Sequence, residues 1–228
     1  MRKINFYVLI TLLLNTFAFA NEYGSQAHLG IPQTIPLEKV LKNLEIIGAN
    51  KESAGANTTL GALYLVGSED KGIKQDYKKA YDYFLKDSEK LSFASYKIAE
   101  MHYFKLLNPN EKNCNCIQNA LSWFKKLIEN TNTPDYKEVS PYAKAAIGSI
   151  YLNDLGKPVL AYPYLKEAAN LKSMPNYEFV IALLLNEPQL KELYNPDEAH
   201  IWLNRAWNNP DSTPQLKQTI MKSAEAVQ

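Results

Sequence analysis

The sequence predicts an all-α protein, an α-solenoid of about four stacked antiparallel helix hairpins with a capping helix at each end. Two observations predict this class: one apolar pattern occurs four times, and helix start signals lie between the copies. A single hairpin cannot bury its apolar side alone, so the copies must stack on one another. Glycine is scarce, at 9 of 228 residues, and long alternating strands are missing, which argues against a β-barrel.

The repeated pattern marks the second helix of each hairpin. An alanine is followed three residues later by an aromatic residue, and that residue by Phe or Leu. The four copies are Ala80 with Tyr83 and Phe84, Ala120 with Trp123 and Phe124, Ala161 with Tyr164 and Leu165, and Ala199 with Trp202 and Leu203. This spacing places the side chains on one helical face. We expect the alanine to allow close helix approach and the aromatic residue to fill the core between hairpins.

The first helix of each hairpin is predicted from an apolar block that contains one small residue. The small residue stands second in the first three blocks, as Gly61, Ala99 and Gly148, and the fourth block is Val180-Ile181-Ala182-Leu183-Leu184. A small side chain at this place lets the second helix approach closely. Together the two helices predict repeats at residues 54–91, 93–130, 140–172 and 175–208, within a domain spanning residues 37–228.

Helix start signals support these bounds. In the segment Asn195–Glu198, a capping side chain precedes a first-turn proline and two acids. Ser140-Pro141 and Thr213-Pro214 have the same cap and proline before the third hairpin and before a last capping helix, 213–227. An amphipathic helix that begins at Leu37 is expected to cap the first hairpin.

The first copy resembles the Sel1-like repeat, a relative of the tetratricopeptide repeat. The resemblance rests on Leu60-Gly61-x-x-Tyr64-x-x-Gly67, followed by Asp76, Lys79-Ala80 and Tyr83-Phe84. It covers roughly residues 54 to 208 and weakens toward the C-terminus, as terminal repeats often do. The resemblance implies paired helices in a right-handed superhelix. It also implies an adaptor role in complex assembly, signalling or host-cell contact by bacteria.

The first twenty residues have the features of a cleaved secretory signal peptide. Arg2 and Lys3 precede an apolar run, and Ala18-Phe19-Ala20 has the small-x-small pattern of a cleavage site. A retained membrane anchor is the alternative, but the run is shorter than the ~20 residues that span a bilayer. Residues 21–36 are expected to form an extended arm. The sequence therefore predicts a periplasmic or secreted protein without a membrane span after cleavage.

The charge balance bears on the class of partner. The chain has 25 basic and 24 acidic residues, a formal charge of +1, whereas nucleic-acid binders normally carry a clear basic excess. Arg2 and Arg205 are its two arginines, so a site with several arginines for phosphate or carboxylate is excluded. No nucleic-acid partner is predicted.

The sequence predicts no catalytic, cofactor-binding or metal-binding residues. Common hydrolase, metalloprotease and phosphate-loop motifs are missing. Ser68 with Lys71 and Ser122 with Lys125 fit the serine–lysine spacing, but no Lys-Thr-Gly accompanies them. His102 takes the place that tyrosines hold in other copies, which indicates a packing residue.

Two cysteines, Cys114 and Cys116, lie at the end of a loop that interrupts the second repeat. Three interpretations stay open. Cysteines in an oxidising compartment usually form a disulfide, and residues two apart can bring their Cα atoms within the bridging range. Intermolecular pairing or free thiols are the second interpretation. Redox or metal chemistry is the third, although two sulfur ligands fall short of a four-ligand zinc shell.

The predicted function is an exported scaffold that binds a protein or peptide partner in the concave groove of the solenoid. In the related tetratricopeptide architecture the first helix of each pair lines that groove. The register then predicts the groove side chains Thr58, Tyr96, Glu100, Tyr103, Tyr142, Ser149 and Glu178. Tyrosines suit peptide recognition because they add contact area with few rotors to order.

Two alternatives to this function remain. One is an enzyme, either directed at the cell wall or working by thiol redox chemistry, that would use the loop Asn108–Cys116. The other is a carbohydrate or cell-wall binding module, which the tyrosine content permits.

Overall fold

A computed structural model describes residues 37–50, 54–67, 72–111 and 113–225. These ranges contain ten α-helices and one π-helical turn. The helices are α1 (Leu37–Ala49), α2 (Ala56–Val66), α3 (Tyr77–Asp87), α4 (Ser92–Tyr103), α5 (Cys116–Glu129), α6 (Tyr136–Ser149), α7 (Pro158–Leu171), α8 (Pro175–Leu185), α9 (Pro196–Asn208) and α10 (Pro214–Glu225), with the π-helical turn at Ile150–Asp154 after α6. This architecture confirms the predicted all-α class. The predicted signal peptide, arm and Ser68–Lys71 pair lie outside the described residues.

The chain divides into two compact units, and the division falls within α6. The N-terminal unit ends at Ala143 and the C-terminal unit begins at Lys144. None of the helices in the described ranges combines the length and apolar character needed to cross a membrane.

The N-terminal unit contains α1 and two hairpins, α2–α3 and α4–α5. Gly61 of α2 faces the ring of Phe84 on α3 so closely that a Cβ atom there would lie 2.8 Å from the ring. The pattern residues Ala80, Phe84, Ala120 and Phe124 are all fully buried. The predicted close helix approach at Gly61 is therefore found in the first hairpin, and the large side chain that it admits is Phe84 of the same hairpin.

The C-terminal unit repeats this arrangement. A Cβ atom on Gly148 would lie 2.5 Å from a methyl carbon of Leu165, so glycine permits the close approach of α6 and α7. Hairpin α8–α9 follows, and α10 covers its end. Phe179, Ala206, Leu216 and Ile220 form a buried cluster there. This cluster matches the predicted terminal cap.

Two of the three predicted helix starts hold. Asn195 accepts a hydrogen bond from the Glu198 amide, and the Thr213 hydroxyl accepts one from the Leu216 amide. The start predicted at Ser140 is wrong, because α6 begins at Tyr136 and Pro141 lies inside it. The Tyr136 hydroxyl donates to the carbonyl of Ile128 at 3.1 Å, which anchors the added first turn to α5.

The recurring aromatic residues lie farther out than predicted. Tyr83, Trp123 and Tyr164 are only half-buried, and Trp202 alone of the four is 4% exposed. Tyr83 stacks on Tyr64 with ring centroids 5.7 Å apart. The Phe or Leu that follows is the deeper residue in the first three copies, and in the first and third it points at the glycine of the partner helix.

Candidate functional site

Helix α4 is the most unusual first helix of the N-terminal unit, because charged and aromatic side chains are buried along it. Tyr96, Lys97 and Glu100 are all less than 9% exposed, and Tyr103 is half-buried. We call these four residues the α4 face. Tyr96, Glu100 and Tyr103 are spaced four and three residues apart, which places them along one side of the helix. The Tyr96 ring packs edge-on against Phe124, with centroids 5.3 Å apart.

Lys97 and Glu100 form a buried ion pair. The Lys97 ammonium donates to Oε2 of Glu100 at 2.9 Å and lies 5.2 Å from the centroid of the Phe93 ring. The other carboxylate oxygen, Oε1, is buried and has no hydrogen-bond partner. Burial raises the pKa of Glu100, and the charge of Lys97 together with hydrogen bonding from Lys97 and Tyr96 opposes that rise. This carboxylate therefore keeps one unused acceptor in the interior.

Three predicted groove residues use their polar side-chain atoms in hydrogen bonds within their own hairpins. The hydroxyl of Thr58 donates to Asp87 at 3.0 Å, and that of Ser149 donates to the carbonyl of Ala145 at 2.9 Å. Glu178 accepts from Arg205 and from Asn209, each at 3.0 Å. Thr58, Ser149 and Glu178 are also buried, so the prediction that they are exposed along a groove is wrong. Their polar atoms close helix ends and join helices instead.

The other four predicted groove residues differ in depth. Tyr96 and Glu100 are buried, which corrects their predicted exposure, and Tyr103 and Tyr142 are half-buried. Tyr103 lies edge-on to Phe104, which is 46% exposed, at 5.2 Å between centroids. The α4 face therefore reaches the surface at its C-terminal end. Partner binding by Tyr103 and Tyr142 stays a prediction.

Two aspartates that close the hairpins were not predicted. Asp87 is fully buried at the end of α3 and accepts from the amides of Gly55 and Thr58, the Thr58 hydroxyl and the Asn57 side chain, all within 3.1 Å. Asp135 accepts from the amides of Ser92 and Phe93 at the start of α4. In the first hairpin a carboxylate from the last residue of the second helix caps the first helix, and in the second hairpin a carboxylate from just after the second helix does so. No sequence signal marks them, because the donors lie 29 to 43 residues earlier.

The two cysteines form a disulfide in the structure, with Cα atoms 5.1 Å apart. Cys116 is the first residue of α5 and is 4% exposed. Cys114 is half-buried, between the exposed residues Asn113 and Asn115. The pair therefore lies where the loop after α4 enters α5.

The described part of the chain contains no group of three or more His, Cys, Asp or Glu residues placed to hold a metal ion. His102 lies edge-on to Tyr81 at 5.9 Å between ring centroids, and burial lowers its pKa. Burial and a hydrogen bond to Glu45 raise the pKa of Tyr83 to about 12. Both groups have packing contacts that account for their environment.

Comparison with solved structures decides which fold these hairpins form. The crystal structure of a Sel1 repeat protein from Oxalobacter formigenes is similar to this chain, with a TM-score of 0.53 and 18% sequence identity. The similarity covers 95% of this chain and 100% of that one. The chain has the Sel1-like repeat fold.

The Sel1-like repeat fold accounts for the hairpins on both sides of the unit boundary. No family model matches the sequence, and a comparison with curated proteins finds no match. The Sel1-like repeat fold makes this chain a helical-repeat protein.

Proposed function

We propose that this protein is an exported scaffold that binds a protein or peptide segment on the α4 face. The observation that carries the proposal is the buried, unpartnered Oε1 of Glu100 beside the Lys97–Glu100 ion pair. A buried carboxylate oxygen without a donor costs free energy. A partner's lysine, arginine or N-terminal amine would recover that cost once the side chains that cover Oε1 move aside on binding.

The surroundings of Glu100 favour a protein partner. Phe93 and Tyr96 provide apolar area next to the ion pair, and Tyr103 with Phe104 extends that area to the surface. Interfaces of this kind combine aromatic anchors with a few desolvated charges. The proposal assigns recognition to the protein and no catalytic step.

Photo-crosslinking tests the location of this surface. Tyr103 is replaced by a photo-reactive phenylalanine analogue in the native host, and the same analogue replaces exposed Ser122 on α5 as the control. We expect a discrete protein adduct at position 103 and none at position 122. No adduct at 103, or the same adducts at both positions, would contradict the proposal.

A binding measurement then tests the role of Glu100. A synthetic peptide copied from the crosslinked segment is titrated into wild type, Glu100→Gln and the control Glu129→Gln, whose carboxylate is exposed. Glu100→Gln removes the carboxylate charge and keeps the shape of the side chain, and it should weaken peptide binding ~10- to 100-fold. Glu129→Gln should bind like wild type. Equal affinity of all three proteins would place the recognition elsewhere.

Export is the second part of the proposal and rests on the charged start, the apolar run and Ala18-Phe19-Ala20. We expect the protein recovered from outside the cytoplasm to begin at Asn21. Intact mass spectrometry with N-terminal sequencing measures this directly. A recovered chain that still carries Met1 would overturn both cleavage and the inferred compartment.

A further inference from the structure

The Cys114–Cys116 disulfide closes a very small loop, because the two residues are only two positions apart. A disulfide stabilises a fold mainly by limiting the unfolded chain, and this effect grows with the length of the closed loop. A bond across one intervening residue limits little of the chain. The second hairpin therefore does not need this disulfide as a structural link.

Other contacts hold that hairpin together. Ala120, Phe124 and Leu127 of α5 are at most 2% exposed, and Asp135 caps the start of α4 with two hydrogen bonds. The two hydrogen bonds of Asp135 involve neither cysteine. Opening the disulfide should leave this packing in place.

The two sulfurs differ in their accessibility and in the environment that each would have as a released thiolate. Cys114 is half-buried in an exposed stretch of loop, whereas Cys116 is 4% exposed at the first position of α5. A thiolate from outside reaches Cys114 more easily. The released Cys116 thiolate then lies by the first-turn amides of α5, where negative charge is favoured, and the Asn115 side chain does not cap them.

We infer that this disulfide is a thiol–disulfide exchange site whose partner is an external thiol. The thiolate RS⁻ attacks Cys114 Sγ, the S–S bond breaks, and its electron pair leaves on Cys116 Sγ. A second thiol displaces Cys114 from the mixed disulfide and forms RS–SR. The external thiols are oxidised by two electrons, and both cysteines end as thiols after taking up the two protons.

Reduction kinetics test whether the site is open in the folded protein. The full chain is treated with dithiothreitol, with and without urea, and free thiols are trapped by alkylation and counted by mass. For an exchange site we expect the folded-state rate to lie within about tenfold of the unfolded-state rate. We also expect the helical circular dichroism signal to persist after reduction. A larger rate gap, or loss of helix, would overturn the inference.

Single-cysteine variants test the direction of attack. Cys116→Ser leaves the Cys114 thiol, Cys114→Ser leaves the buried one, and circular dichroism confirms that each is folded. We expect Cys114 to form a mixed disulfide with oxidised glutathione at least ~10-fold faster than Cys116. Equal or reversed rates would overturn the assignment.

The source of the external thiol is identified by mass spectrometry of the Cys116→Ser variant isolated from its host. An adduct with the mass of a small thiol, or a disulfide-linked protein, supports exchange and names the source. A Cys114 thiol recovered without any adduct contradicts it.

Discussion

Replacing Asp87 by alanine should lower the free energy of unfolding of the N-terminal unit by about 3–5 kcal/mol. Asp87 is fully buried and accepts four hydrogen bonds from Gly55, Asn57 and Thr58. Alanine leaves those donors without an acceptor in the interior. Chemical denaturation followed by far-UV circular dichroism measures the loss.

Two variants make this test specific. Asp82→Ala removes an exposed carboxylate from the same helix and should change stability by less than about 0.5 kcal/mol. Asp87→Asn keeps one acceptor oxygen and should fall between the two alanine variants. If Asp87→Ala were as stable as Asp82→Ala, the capping of α2 by Asp87 would contribute nothing measurable to the free energy of unfolding.

Replacing Phe124 by alanine should cost about 3–5 kcal/mol, because Phe124 is fully buried and packs against Tyr96. Its neighbour Trp123 is half-buried, and its ring lies 4.9 Å from the Lys126 ammonium. Trp123→Ala should therefore cost less, about 1–2 kcal/mol. Urea midpoints of the two variants give the comparison. A larger loss for Trp123→Ala than for Phe124→Ala would show that Trp123 is the core residue of α5 and that the packing register of this helix is shifted by one residue.

The same comparison affects how Tyr96 can be used as a probe. Tyr96 packs on Phe124, so Tyr96→Ala would remove core contacts and a recognition surface together. Tyr103 is the cleaner position for binding experiments, whereas Glu100→Gln removes the ion-pair partner of the buried Lys97 ammonium and must first be shown to fold by circular dichroism. An analogue at position 103 replaces a half-buried ring, and Glu100→Gln preserves the shape of the side chain.

The helix positions were largely predictable, and the exception shows why. Helix starts at Asn195 and Thr213 depend on a side chain that caps an amide three residues later, a relation visible in the sequence. The start of α6 depends on Tyr136, which donates to Ile128 in the preceding helix. That contact joins two helices, so the Ser140-Pro141 signal alone predicted the wrong start.

The candidate site was predictable only in part. The register correctly placed Tyr96, Glu100 and Tyr103 along α4, but it treated them as exposed. Lys97 received no role, because its partner Glu100 is recognisable as an ion pair only once both side chains are known to be buried. A charge pair three residues apart on a helix is ordinarily a solvated surface feature.

The sequence by itself determined the hairpins and the residues that join the two helices of each one. Helical periodicity and side-chain size, which are local properties, marked Gly61, Gly148, Phe84 and Leu165 as packing residues. That Gly61 faces Phe84 and Gly148 faces Leu165 was seen only in the packed hairpins. Only the tertiary structure decided how each hairpin closes and which polar groups become buried. Asp87 and Asp135 reach donors 29 to 43 residues earlier in the chain, and no local pattern encodes a contact across that separation. Burial likewise depends on what every neighbouring helix covers, so the unpartnered oxygen of Glu100 appeared only when the hairpins were packed.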